Sequence, residues 1–266
     1  MPSSTESGHR AASDPAVDDA ILTTRALTWG VGGFTLLSDI ELRFRRGEFL
    51  SIIGPNGAGK TSLLNVLSGT NTARSGSVLL AGEDITRLRP AARVRRGLGR
   101  TFQTSSLFPN LSVMENARLA AQAARGGSLS LIRRPRFEDE ATRAGVAALG
   151  EVGLEARAAD PVADLSHGDK RKLEIALLLC TGPDVLLLDE PTAGVSVEEV
   201  EPLVRVIRDV HAGGRTVVMV EHRMELVVDA SDRIAVLHNG RLLTVGDPET
   251  VMADATVQSA YLGETA

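Results

Sequence analysis

The sequence predicts an α/β fold, and three observations carry that prediction. The first is Gly54-Pro55-Asn56-Gly57-Ala58-Gly59-Lys60-Thr61, set between an apolar run, Phe49-Leu50-Ser51-Ile52-Ile53, and a helix-like one, Ser62-Leu63-Leu64-Asn65-Val66-Leu67. It fits G-x-x-x-x-G-K-[ST] at every fixed position, and strand, glycine loop and helix in that order are the context in which the pattern holds phosphate. The second is Val185-Leu186-Leu187-Leu188 followed by Asp189-Glu190. A short unbroken apolar run is how a strand buried on both faces of a parallel sheet reads, and such sheets place ligands at the carboxyl ends of their strands. The third is the regular alternation of helical and strand patterns over the C-terminal half: helix 169–181, strand 185–189, helix 197–212, strand 216–220, helix 223–230 and strand 233–237.

Taken in order, residues 1–20 are polar and rich in Ser, Asp, Pro and Gly. They read as a disordered tail, and without an apolar h-region they are not a signal peptide. From Ile21 to Phe44 alternating residues, with a turn at Gly30 to Gly33, predict antiparallel strands that lead through Arg46-Gly47 into the strand before the glycine loop. Ser77-Val78-Leu79-Leu80 predicts a further strand turned by Ala81-Gly82. The stretch from Arg87 to Arg100 carries six arginines, at 87, 89, 93, 95, 96 and 100. It reads as a solvated helix closed by Gly97-Leu98-Gly99, with no part in nucleotide binding. Residues from Ser112 to Leu154 are helical in character with an irregular loop near 125–136, so a helical subdomain of about 104–180 is expected inside one body spanning 21–263. After strand 233–237, His238-Asn239-Gly240 turns the chain into Arg241-Leu242-Leu243-Thr244-Val245 as a hairpin.

The chain has 266 residues, enough to bury a full core, and a net charge of −5, which gives no reason to expect nucleic acid as a partner. Its single cysteine, Cys180, excludes an internal disulfide and sits among apolar residues as a small buried one. No apolar stretch reaches the roughly 18–20 residues of a spanning helix. If the protein works at a membrane, other subunits supply the span.

The glycine loop is the strongest chemical signal. Its glycines let backbone N–H groups converge on phosphate oxygens, and the helix beginning at Lys60, Thr61 and Ser62 adds free donors and a favourable dipole. Lys60 places a point charge on the β/γ-phosphates and Thr61 offers its hydroxyl to Mg²⁺. Lysine otherwise occurs only at 170 and 172 in a chain that takes its positive charge from arginine, which weighs against an incidental surface lysine. Asp189 is placed to hold the Mg²⁺ environment, and Glu190, on the other side of the strand end, to activate water as a base. A helix-capping acidic pair is the blander alternative, and the upstream loop counts against it.

A third stretch, Leu165-Ser166-His167-Gly168-Asp169-Lys170-Arg171-Lys172-Leu173-Glu174-Ile175-Ala176, is a Ser–Gly turn feeding a helix, hence another N-terminus suited to an anion. With the two motifs above it resembles the signature of ABC-type ATPases, L-S-G-G-Q, and departs from it at His167 and Asp169. The resemblance implies a P-loop NTPase core with an antiparallel β subdomain and a helical subdomain. It implies that Ser166 and Gly168 contact the γ-phosphate of ATP held by a second ATPase subunit, so that ATP closes a dimer. It further implies that Gln103 senses Mg²⁺ and the attacking water, that Ala193-Gly194-Val195-Ser196 crosses the dimer interface, and that His222 contacts the γ-phosphate. The position at which such ATPases carry the aromatic that stacks on adenine is held by Val31, with Trp29 and Phe34 nearby, and the adenine contact stays open.

Arg100-Thr101-Phe102-Gln103, Leu107-Phe108, Leu111-Ser112-Val113-Met114-Glu115-Asn116 and the ending Ala260-Tyr261-Leu262-Gly263-Glu264 are similar to the ATPase subunits of branched-chain amino-acid and urea importers. That resemblance implies transmembrane permease subunits, a solute-binding protein acting through them, and a peripheral position on the cytoplasmic face of the membrane. An exporter subunit and a soluble ABC-type ATPase acting on ribosomes or DNA are the alternatives. One set of motifs, with Lys60 and Ser166 too close for a long intervening coiled coil, disfavours the soluble kind.

Overall fold

The computed structural model describes residues 19–101, 107–124 and 140–262. Most of the expected N-terminal tail, Gln103 and the expected loop near 125–136 lie outside the described residues.

Two sheets organise the molecule. The first is antiparallel, built from β1 (Ala20–Val31), β2 (Phe34–Arg45), β4 (Ser75–Leu80) and β5 (Glu83–Asp84) in the order β2-β1-β4-β5. The β1–β2 turn is closed by Gly32 and Gly33, both at positive φ. The second has the order β10-β9-β3-β8-β7-β6, from β3 (Phe49–Ile53), β6 (Leu98–Arg100), β7 (Val185–Asp189), β8 (Thr216–Val220), β9 (Arg233–His238) and β10 (Arg241–Gly246). Its neighbours are parallel except β9 and β10, which form the hairpin expected at Asn239-Gly240. Both turn residues take positive φ, 48° and 73°, as a tight hairpin with right-handed strand twist requires.

Strands β3, β7 and β8 are buried along their whole length, and their side chains alternate between two cores. Leu50, Ile52, Leu187 and Val218 pack with α1 (Lys60–Ser68) and the antiparallel sheet. Phe49, Leu186, Leu188 and Met219 pack on the other face with α5 (His167–Leu179) and α6 (Val197–Ala212), joined by α3 (Val113–Ala124) and α4 (Glu140–Glu151). The unbroken apolar runs therefore have the origin assigned to them: both faces are covered. Helices α7 (Met224–Ala230), α8 (Pro248–Ala253) and α9 (Ala255–Leu262) close the chain beside β9 and β10.

The arginine-rich stretch is corrected by the structure. In place of one solvated helix it forms a short α2 (Pro90–Val94) and then β6, the edge strand of the large sheet. Arg87, Arg89, Arg95 and Arg96 are exposed as expected, but Arg93 is buried. Its guanidinium donates to the carbonyls of Val66 (2.7 Å) and Leu67 (2.6 Å) at the end of α1, and to those of Leu88 (3.0 Å) and Thr86 (2.8 Å). Burial lowers its pKa to about 10, which leaves it charged at neutral pH. A cation serving the last carbonyls of a helix is favourable with the helix dipole as well as with the hydrogen bonds. Arg100 likewise turns inward, to Asp189.

Candidate functional site

The site lies where β3, β8 and β7, three neighbouring parallel strands, reach their carboxyl ends. Beyond β3 the chain makes the glycine loop. Gly54 has φ 149°, and a Cβ there would stand 2.1 Å from the Leu237 carbonyl oxygen of β9. Gly59 caps α1 at φ 101°, with space for a Cβ closed by the Leu37 side chain at 2.8 Å. Between them Pro55 and Ala58 are buried while Asn56 and Gly57 are exposed. The loop is tied from behind by the β9–β10 turn: the Gly240 N–H donates to the Ala58 carbonyl (3.1 Å), and the Gly240 carbonyl accepts from the Ser38 N–H (2.8 Å).

Lys60 opens α1 and is buried, with its Nζ donating to the carbonyls of Gly54 (2.6 Å) and Pro55 (2.9 Å). The ammonium is thus held inside the curve of the loop. Thr61 and Ser62 follow in the first turn, half-buried. The Thr61 hydroxyl lies 3.4 Å from Asp189 Oδ1. On its other oxygen Asp189 accepts from Arg100 at 2.9 Å, and Arg100 also donates to Asn65 Oδ1 (2.6 Å) and Ser68 Oγ (3.0 Å) of α1. Burial pushes the Asp189 carboxyl up; the Arg100 guanidinium pulls it back and the neighbouring Glu190 adds to the rise. Among the described residues no cluster of three or more His, Cys, Asp or Glu groups is arranged for a metal. A threonine hydroxyl and one carboxylate are nevertheless the hard oxygen donors that Mg²⁺ takes from a protein when phosphates and water supply the rest, so the pair fits that ion.

At the end of β7 Glu190 adopts φ 49°, with its N–H bonded to the Val220 carbonyl of β8 (2.9 Å). This left-handed conformation aims its side chain at His222, beyond β8, whose Nε2 is 3.0 Å from Glu190 Oε1. A carboxylate with an imidazole partner can take a proton from water and share the resulting charge. Sequence reasoning named both residues without seeing that they meet. It also missed Arg100, which was one arginine among six, and Glu221, which is buried between the β7 and β8 loops. Glu221 carries the signal that singled out Asp189: it is a carboxylate directly after a buried strand whose last four residues, Val217, Val218, Met219 and Val220, are apolar.

Ser166 and Gly168 lie elsewhere in the chain, at the start of α5. Ser166 is the N-cap and its hydroxyl accepts from the Asp169 N–H (3.1 Å). Asp169, at the position where the signature has glutamine, is engaged in ion pairs with Arg157 (3.0 Å) and Lys172 (3.1 Å). Glu199 of α6 reaches over this N-terminus; hydrogen bonds from the Ser166 hydroxyl first, then Ser196 and the Gly168 N–H, hold its pKa below the usual range. A Cβ at Gly168 would meet the Glu199 side chain at 2.9 Å. Neither Ser166 nor Gly168 bonds to the glycine loop of its own chain among the described residues. At the β1–β2 tip Val31 and Phe34 are largely exposed, while Trp29 packs partly into the core.

Comparison with known proteins agrees with this arrangement. The family described as ABC transporter matches residues 37–193. The high-affinity branched-chain amino acid transport ATP-binding protein LivG of Salmonella typhimurium (strain LT2) is 36% identical over 252 residues, covering 92% of this chain and 98% of that protein. The corresponding BraF of Pseudomonas aeruginosa is 36% identical over 250 residues, with the same coverage of 92% and 98%. Among solved structures, an ATP-binding cassette of an ABC transporter in its ADP conformation superposes with a TM-score of 0.82 at 30% identity, covering 92% of this chain and 99% of the other. A glycine loop, a strand-end carboxylate pair and a capped signature helix, on a fold shared along nearly the whole chain, identify this protein as an ATP-hydrolysing, ATP-binding member of the ABC transporter family.

Proposed function

We propose that this chain is the ATPase subunit of an importer for branched-chain amino acids, working peripherally at the cytoplasmic face of a membrane with separate transmembrane permease subunits and a solute-binding protein. The likeness to LivG along almost the full length of both chains carries this reading. Among the described residues no helix is long and apolar enough to cross a membrane, and the proposal gives that task to the permeases. Contact with them is placed near Thr104 to Pro109, of which 107–109 are described. Leu107 lines a cavity of about 250 Å³ together with Val94, Leu98, Thr101, Leu177 and Leu178.

In this reading the N–H groups of Gly54 to Lys60 and the Lys60 ammonium bind the phosphates, with Thr61 and Ser62 at the start of α1. Thr61 and Asp189 would hold Mg²⁺, which supplies neutralisation of phosphate charge, and Gln103 would complete that environment. Glu190 orients and deprotonates the attacking water, while His222 keeps the carboxylate aligned and reaches the γ-phosphate. Ser166 and Gly168 present their donors to ATP held by the opposing subunit, identical or homologous, and Ala193 to Ser196 run along the same interface. Closure over ATP then moves the permeases, and hydrolysis lets the subunits part.

Purification of the tagged protein from solubilised membranes of its native host tests the reading. Recovery with polytopic membrane proteins, and a cognate binding protein that retains leucine, isoleucine or valine, is the expected result. A binding protein selective for urea would replace the solute class, and recovery with ribosomes or DNA-bound partners alone would overturn the transport role.

A further inference from the structure

Glu221 is buried to 3% exposure directly after β8, at the floor of the site, and none of the roles above uses it. Its two carboxylate oxygens serve two different loops. Oε1 accepts from the Thr192 N–H (3.1 Å) and from the Thr192 hydroxyl, both in the loop after β7 that begins with Glu190. Oε2 accepts from the His222 N–H (2.9 Å) and, at 3.4 Å, from the Arg223 N–H, both in the loop after β8. Thr192 is itself 3% exposed, so this junction is shut off from solvent. The strands beneath pair in register only as far as Asp189 and Val220, with one further bond from the Glu190 N–H to the Val220 carbonyl. Beyond that point the sheet no longer fixes how the two loops sit against each other, yet the 3.0 Å contact between His222 and Glu190 depends on it.

We propose that Glu221 is a positioning residue for hydrolysis: a buried carboxylate that locks the Glu190 loop to the His222 loop and so sets the alignment of the base with its imidazole partner. The inference rests on the roles proposed above for Glu190 and His222. An anionic carboxylate is suited to this task because it has acceptor capacity on both oxygens and no donor. Glutamine, of nearly the same shape, keeps one accepting oxygen and turns an NH₂ group toward the other loop, where a backbone N–H faces it on either side and the Thr192 hydroxyl alone could turn to accept. It can hold one loop and must repel or release the other. Thr192 completes the lock from its side, since its hydroxyl and N–H converge on a single oxygen.

Steady-state hydrolysis and nucleotide binding of Glu221→Gln, Thr192→Val, Thr192→Ser, Glu190→Gln and His222→Ala, alone and in combination, test the lock. The glycine loop is untouched, so Glu221→Gln should lower kcat about 10- to 100-fold, as loss of a supporting hydrogen-bond partner does at other sites, with the KM for ATP within about threefold. In a His222→Ala background the same change should cost less than about twofold, because the partner being aligned is gone. Thr192→Val should reproduce the fall in kcat and Thr192→Ser should restore it. Equal and additive losses in the two backgrounds would overturn the proposal, as would unchanged kcat in Glu221→Gln. If Glu221→Gln does not fold, the Thr192 pair decides: equal rates for Val and Ser overturn the lock. Failure of the underlying roles is distinguishable, because then Glu190→Gln and His222→Ala themselves would retain near wild-type turnover.

Discussion

Under the proposed function Lys60 and Glu190 act on different steps, and single substitutions separate them. Lys60→Ala removes the cation held inside the curve of the loop by the Gly54 and Pro55 carbonyls. Nucleotide affinity should fall at least about tenfold in a fluorescence titration, in line with loss of a charge-assisted phosphate contact. Glu190→Gln keeps the shape and the left-handed backbone but removes the base; turnover should drop by about 10²–10⁴-fold while ATP still binds. Arg93 serves backbone carbonyls, and its replacement by Met should be among the more destabilising changes in the protein. Four carbonyls would lose their donor in a buried setting, for a loss of about 3 kcal/mol or more in a denaturant titration. Cys180 is quiet for a physical reason: burial pushes its thiol up to about 11. Alkylation of the native protein should still be accelerating at pH 10, well above the range in which a free thiol levels off. Because the folded state holds this proton more tightly, the associated stability is complete below about pH 9 and is lost as pH rises toward 11.

At the level of elements, the legible parts are those in which local pattern and tertiary role coincide. Strand 185–189, helix 197–212 and strand 216–220 have the limits expected of them, since a strand covered on both faces leaves an unbroken apolar run and an amphipathic helix a periodic one. The start of the signature helix moves from 169 to His167 because Ser166 caps it with its own hydroxyl. The stretch 87–100 was unreadable because charge normally marks solvent, and two of its arginines are buried by partners remote in sequence, the carbonyls ending α1 and the Asp189 carboxylate. The Glu190–His222 contact was hidden similarly, since it joins two loops through a left-handed backbone that no pattern of residue types announces. Gly54 gives an element-scale prediction. A Cβ at this junction of β3 and its loop collides with main chain of β9, which cannot swing aside as a side chain can. Gly54→Ala should therefore cost both stability and nucleotide binding, measurable as a lower melting temperature that ATP fails to restore.

For the molecule as a whole, Ser166 and Gly168 stand apart from the glycine loop of their own chain, and under the proposed function one subunit would be half of two sites. Glu190→Gln with ATP should then run as a dimer in size-exclusion chromatography with light scattering, and return to its lighter form when ATP is replaced by ADP. A monomer under both conditions would count against closure across two subunits. The same whole-molecule view shows how closely the small antiparallel sheet is bound to the chemistry. Gly240 joins Ala58 of the glycine loop to Ser38 of β2, and a Cβ there would lie 2.3 Å from the Leu36 carbonyl. Hairpin turns are ordinarily where a chain accepts an added tag or fluorophore, and by its sequence Asn239-Gly240 looks like the obvious place. Here it is the wrong one, while Gly82, with nothing within 4 Å of a Cβ, stands open at the tip of β4 and β5. Anyone wishing to watch this ATPase at work should keep Gly82, whose φ of 83° suits glycine, insert the reporter beside it at the β4–β5 tip, and leave the Asn239-Gly240 turn alone.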